Sequence, residues 1–215
     1  MKLYTYFRSS AAYRVRIALN LKGLGYDAIP VHLLRDGGEH RKEAYTSLNP
    51  SALIPALEDN GVLMTQSLAI IEYLDETHPM APLLPQDAVG RARVRALSQI
   101  IACDTHPLTN LRVLKHLKGP LGFTEEAKVA WWKHWNLTGM HDLEAHLERD
   151  GDTGRFCYGD TPTMADCVLM PQVFNARRFE LDMAQFPHIS RIAANCENLP
   201  AFIAAHPSNQ PDTEA

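Results

Sequence analysis

Residues 49–74 read NPSALIPALEDNGVLMTQSLAIIEYL. Pro55 stands where a short apolar strand opens. Lacking a backbone donor and able to hold a cis bond, it suits a strand start rather than a strand interior. Asn60 and Gly61 accept the positive φ angles that a two-residue hairpin turn requires, so a second strand follows directly. Gln66 and Ser67 then introduce an amphipathic helix. A helix start presents unpaired N–H groups and a partial positive charge, a natural seat for a carboxylate. A strand edge for a peptide backbone beside a helix start for its carboxylate makes this segment a binding site for a small peptide.

The residues before it continue the alternation of strand and helix. Lys2 to Phe7 reads as a strand, broken by Arg8, Ser9 and Ser10. Residues 11–22 form a helix with Val15, Ala18, Leu19 and Leu21 toward a core, stopped by Gly23 and Gly25. Tyr26 to Leu33 is a second strand, parallel to the first through a right-handed crossover. Pro30 makes it an edge strand. A loop over Arg35 to Glu39 leads to a short helix from His40 to Leu48. The order β-α-β-α-β-β-α looks like the thioredoxin type. Pro79, Pro82 and Pro85 then crowd a stretch that no helix or strand interior accepts. Beyond it the chain reads helical, over about 88–118, 124–149 and 163–178, with shorter helices near 188–205. The expectation is an α/β thioredoxin-like domain over 1–80, a linker over 81–87 and an all-α domain over 88–215.

Bulk properties exclude several classes. The 215 residues are 46% hydrophobic, enough for a real core, with a net charge of −4. No block of basic residues argues for nucleic acid as a partner. The four cysteines show neither metal-like pairing nor a dense disulfide pattern, which suits reduced thiols. No apolar run is long enough to span a bilayer and no signal peptide precedes the first strand, so a cytoplasmic location is expected. The ten histidines are scattered, and no metal is expected.

Several motifs together resemble the zeta class of the glutathione S-transferases, over nearly the whole chain. They are Arg8-Ser9-Ser10 ahead of YRVRIAL (13–19), Ile54-Pro55, QSLAIIEYL (66–74), GDTPTMAD (159–166), PQVFNARRF (171–179) and the tail QPDT (210–213). The resemblance implies that fold, glutathione as cofactor and a homodimer. It also implies a cis–trans isomerase acting on a small dicarboxylic keto acid. Maleylacetoacetate, from tyrosine or homogentisate breakdown, is the expected substrate, with conversion to fumarylacetoacetate by reversible thiolate addition. The alternatives are isomerisation of maleylpyruvate in gentisate breakdown, a transferase or dehalogenase acting on α-halo acids, and a glutathione-binding module without turnover.

The same resemblance assigns residues. Ser9 aligns with the class's catalytic serine. A hydroxyl at a strand-to-helix turn can hydrogen-bond a thiolate, and the helix start favours the same charge. An ordinary N-cap is the plain structural alternative for Ser9 and Ser10. The chain departs from the class at Ala11 and Ala12, where a cysteine and a serine are usual, so Ser10 is a possible substitute. Ile54, with Pro55 behind it, would offer backbone bonds to the cysteinyl part. Gln66 and Ser67 would take the γ-glutamyl carboxylate, and His40 the glycyl one, against capping and a solvated loop as plain alternatives.

Arg8, Arg112 and Arg178 would bind substrate carboxylates and spread enolate charge. His106 and Asn110 are assigned to cofactor binding. They share a helix face at i, i+4, with Arg112 well round from them. Pro107 either kinks that helix and gathers the three, or they act across a dimer interface. Thr163 and Asp166 read as a capping box, and Trp131, Trp132 and Trp135 as core packing.

Overall fold

The computed structural model describes residues 1–214. Its internal contacts divide the chain into two compact units. One holds Met1–Leu84 and the chain from Glu197 onward; the other is Pro85–Cys196.

In the first unit the elements run β1 (Lys2–Thr5), α1 (Ser10–Leu21), β2 (Asp27–Pro30), α2 (Glu43–Thr46), β3 (Ala56–Asp59), β4 (Val62–Thr65) and α3 (Ser67–Thr77). The β-α-β-α-β-β-α order is the expected one. Among the described residues the sheet has four strands in the order β2-β1-β3-β4, with β1 and β2 parallel and the other pairs antiparallel. Strand β2 lies at the edge, as Pro30 requires. The β3–β4 hairpin turns at Asn60 (φ 50°) and Gly61 (φ 80°), both in the left-handed region that a two-residue turn demands.

Alternation along β1 sends Leu3 and Thr5 to one face of the sheet and Tyr4 and Tyr6 to the other. Leu3 packs in a fully buried core with Val15, Ala18, Leu19, Leu57, Ile70, Ile71 and Leu74, under α1 and α3. Tyr6, Phe7, Val31, Tyr45 and Ile54 form a second cluster on the α2 side, with Tyr4 against it.

Helix α1 is buried nearly all round, Arg14 and Arg16 included. The cause is α10 (Pro200–Ala205), which packs on it. Arg16 Nε donates to the Ala205 carbonyl at 3.1 Å, and Asn20 Nδ2 to that of Ala201 at 3.0 Å. The expected helical domain over 88–215 is therefore corrected at its end: residues from Glu197 onward complete the first unit. At the proline-rich stretch, Lys22 Nζ meets Asp75 at 2.8 Å and the His78 carbonyl at 2.8 Å, while Asp75 accepts the Leu83 N–H at 2.7 Å.

The helical unit runs α4 (Ala88–Gln99), a π-helical turn (Ile100–Thr105), α5 (His106–Thr109), α6 (Leu111–Lys118), α7 (Glu125–Arg149), α8 (Met164–Arg178) and α9 (Pro187–Glu197), whose last residue crosses into the first unit. The single helix expected over 88–118 is thus three helices and a π turn. The turn is held by Thr105 Oγ1 donating to the Ile100 carbonyl at 2.8 Å, and Asn110 breaks the helix again. Gly139 of α7 lies directly over Thr105, so close that a Cβ would collide with its Oγ1. Gly139→Ala is expected to destabilise the protein by about 1–3 kcal/mol through overpacking, read from denaturant midpoints against wild type. Among the described residues no helix is long and apolar enough to cross a membrane.

Candidate active site

The first part of the site forms where β1 gives way to α1. The Tyr6 carbonyl accepts the Ser9 N–H at 2.9 Å, closing a turn through Phe7 and Arg8. Arg8 Nη2 donates to the Tyr6 hydroxyl at 3.1 Å, and its guanidinium lies 5.0 Å from the Phe7 ring centre. Ser9 is the N-cap of α1, and its Oγ accepts the Ala12 N–H at 3.2 Å. Capping leaves the hydroxyl hydrogen able to donate, so a cap and an anion donor are compatible in one side chain. Ser10 is the first residue of α1 and is buried.

The second part is the head of α3. Gln66 is exposed and holds φ 69°, a left-handed conformation rare for a residue with a Cβ, and makes no side-chain cap bond. Ser67 is buried, and its Oγ accepts from Arg14 Nη1 at 3.2 Å. Arg14 thus brings a buried cation from α1 to the start of α3, where unpaired N–H groups already favour an anion. Sequence reasoning missed Arg14. The available signal was two arginines set into the most apolar stretch of α1, where a solvated face has no room.

The third part precedes β3. The Ile54–Pro55 peptide is cis. Ahead of it, the Leu53 carbonyl accepts from the Tyr45 hydroxyl and from Asn49 Nδ2, both at 2.7 Å, so the segment entering β3 is rigidly held. His40 lies in a 3-10 turn over Glu39–Arg41 and is buried, so the solvated-loop alternative does not hold. Gly38, at φ 111°, lets the backbone pass so near the His40 ring that a Cβ would collide with it.

In the helical unit His106 opens α5 and is partly buried. Asn110 has φ −75° and ψ 163°, ends α5 and caps α6, its Oδ1 accepting the Val113 N–H at 3.2 Å. His106 and Asn110 therefore do not share the face of one continuous helix. That expectation is corrected by the break at Asn110. Arg112 is exposed in the first turn of α6. Trp131 Nε1 donates to the Leu108 carbonyl of α5 at 2.8 Å, tying α5 to α7. Arg178 ends α8, exposed, with its guanidinium 4.6 Å from the Phe179 ring centre. Phe179 in turn packs at 4.0 Å on Trp132, which is buried in the core as expected.

A family model described as the glutathione S-transferase N-terminal domain matches residues 8–77. Over 210 residues the chain is 50% identical to the probable maleylacetoacetate isomerase of Vibrio cholerae, covering 98% of this chain and 97% of that one. The holo structure of a maleyl pyruvate isomerase, described as a bacterial glutathione S-transferase of the zeta class, matches with TM-score 0.96 and 48% identity over 100% of both chains. The chain belongs to the zeta class of the glutathione S-transferases. A maleylacetoacetate isomerase from Methylobacterium extorquens AM1, solved with malonate and glutathione bound, also covers 100% of both chains, at TM-score 0.96 and 41% identity. The zeta-class reading of the motifs and the thioredoxin-like fold therefore agree with these findings, while the first unit of this member has Ala11 and Ala12 at the head of α1.

Proposed function

We propose that the chain is a glutathione-dependent cis–trans isomerase converting maleylacetoacetate to fumarylacetoacetate. The observation that carries this reading is the pairing, within one unit, of the Ser9 hydroxyl at the head of α1 with the buried Arg14–Ser67 pair at the head of α3. A hydroxyl for a thiol and a cation–hydroxyl pair for a carboxylate fit the two ends of a γ-glutamylcysteinyl peptide. When bound, glutathione supplies the thiol nucleophile whose reversible addition frees rotation about the cis double bond.

The chain's own residues do the rest. Ser9 donates to the sulfur, and the start of α1 favours negative charge there. Ser67, Gln66 and Arg14 hold the γ-glutamyl carboxylate, Ile54 ahead of Pro55 offers its backbone, and His40 takes the glycyl carboxylate. Arg8 in the first unit, and Arg112 and Arg178 in the helical unit, are proposed to orient the substrate's carboxylates. His106 and Asn110 are proposed to contribute to cofactor binding from α5 and its end. A cytoplasmic homodimer serving tyrosine breakdown completes the proposal.

Gln66 separates binding from folding. Gln66→Gly relieves a left-handed conformation that costs about 1–2 kcal/mol, while the glycine adds roughly 0.4–1 kcal/mol of unfolded-state freedom. The balance lies between about zero and 1.5 kcal/mol of gain, so the melting temperature holds or rises by a few degrees and does not fall. Glutathione affinity, read by calorimetry, is expected to fall about tenfold for one lost hydrogen bond to a charged group.

Maleylpyruvate is the second reading, favoured by the 48% identity to a maleyl pyruvate isomerase of the same length. Steady-state isomerisation of both acids, with and without glutathione, tests the proposal. Strictly glutathione-dependent turnover supports it, and the acid with the higher kcat/KM names the substrate. Retention of glutathione with no turnover of either acid would overturn it in favour of a binding module.

A further inference from the structure

The tail QPDT (210–213), which marks the class in the sequence, has no part in the site described so far. The structure shows where it goes. Asp212 Oδ2 accepts the Phe7 N–H at 2.9 Å. Its neighbours fix the strap on the first unit. Gln210 Nε2 donates to the Ala204 and His206 carbonyls at 2.8 and 2.9 Å. Glu214 accepts from His32 Nε2 at 2.9 Å and from Arg35 Nη2 at 3.3 Å. His32 Nδ1 itself accepts the Leu34 and Arg35 N–H groups, so the proton of the neutral ring sits on Nε2, facing Glu214.

The same backbone is held from below by Arg16, which is fully buried. Arg16 Nη1 donates to Thr5 Oγ1 at 3.0 Å and to the Tyr6 carbonyl at 3.3 Å, and Nη2 donates to the Phe7 carbonyl at 3.0 Å. The Tyr6 carbonyl is also the acceptor for the Ser9 N–H. The Tyr6–Phe7 peptide is thus tied to a cation on its carbonyl side and an anion on its N–H side, and the next carbonyl, that of Phe7, is held by the same cation. Burial lowers the Arg16 pKa to about 10, and Asp212 is among the charges that oppose that shift. Asp212 Oδ1 is buried without a hydrogen-bond partner among the described residues.

We propose that Asp212 and Arg16 form a two-sided clamp that positions the Ser9 hydroxyl, with Asp212 a positioning residue contributed by the C-terminal strap. The proposal rests on the reading of Ser9 as the thiol's donor. A hydroxyl that must meet a sulfur is sensitive to displacement, since a 1 Å misplacement costs on the order of a hundredfold in rate. Releasing the Phe7 N–H loosens the turn without removing any group that touches a ligand.

The test uses the full chain with Asp212→Ala, Asp212→Asn and Ser9→Ala. Asn keeps an oxygen to accept the Phe7 N–H, so it separates the hydrogen bond from a merely damaged fold. Two readouts are taken: amide exchange at Phe7 to Ser9 in the ligand-free protein, and the ultraviolet thiolate titration of bound glutathione. For Asp212→Ala the expected result is about tenfold faster exchange, a thiol pKa moved toward that of a free thiol, about 8.5, and a lower kcat at little-changed glutathione affinity. Asp212→Asn should recover most of each. Unchanged exchange and an unchanged titration in Asp212→Ala, even with a lower melting temperature, would overturn the clamp, as would Asp212→Asn behaving like Asp212→Ala. If Ser9→Ala leaves the titration unmoved while Asp212→Ala speeds exchange, the reading of Ser9 fails and the mechanical clamp stands.

Discussion

Ser9→Ala is expected to lower glutathione-dependent kcat/KM by about 10²- to 10³-fold, the usual cost of removing one donor aimed at developing negative charge. The variant also loses the cap on Ala12, where Oγ accepts the N–H at 3.2 Å. Losing a serine cap costs about 0.5–2 kcal/mol of stability, which does not unfold a protein of ordinary stability. A fall in rate of that size with a small drop in melting temperature therefore separates the chemical role from the structural one. A pH profile sharpens the distinction. A free thiol with a pKa of about 8.5 is only a few per cent ionised near neutrality, so the variant's rate should keep rising with pH where the wild type levels off. Activity retained in Ser9→Ala would transfer the thiolate's stabilisation to Ser10 or to the helix start.

Asp166→Ala is expected to cost about 3–5 kcal/mol of stability, the penalty for breaking a buried charged network from one side. Asp166 is fully buried at the third position of α8. Its Oδ1 accepts the Cys157 N–H at 2.9 Å, and its Oδ2 accepts the Thr163 N–H at 2.7 Å and the Thr163 hydroxyl at 2.9 Å. Burial raises its pKa, and these bonds oppose the rise. Removing the carboxylate strands three donors in a site that water does not reach. Thr163→Ala, which removes only one of them, should cost about 1 kcal/mol. Urea denaturation of both variants gives the comparison. Near-equal losses would show that Asp166 is not the hub of this corner.

Local chemistry carried much of this structure into plain view. Asn60 and Gly61 admit the backbone of one turn type, and Pro30 confines its strand to an edge, so the hairpin and the sheet's border were readable. The interruption of the helix expected over 88–118 is not legible because the apolar pattern runs on through the π turn, which Thr105 Oγ1 holds by its bond to the Ile100 carbonyl, in space that Gly139 of a distant helix leaves open. The break at Asn110 did have a local signal, an asparagine N-cap. Arg14 and Arg16 escaped notice because a charge in a helix is ordinarily solvated, and α10, the element that covers α1, lies almost 200 residues away in the chain. No local pattern announces such a return. For the candidate site, Ser9, Ser67 and the Ile54–Pro55 step follow from motifs, whereas the partner of Ser67 is visible only in three dimensions.

The return of residues beyond Glu197 to the first unit also bears on the order of events during translation. Domains usually fold as they emerge, N-terminal first. Here α1 leaves the ribosome early, yet the Ala205 carbonyl that receives Arg16 and the Asp212 carboxylate that receives the Phe7 N–H are made only after the whole helical unit. A nascent chain halted before that point has every proposed ligand-binding residue in its polypeptide but lacks the pieces that brace them. Prematurely terminated products are thus poor candidates for stray thiol chemistry.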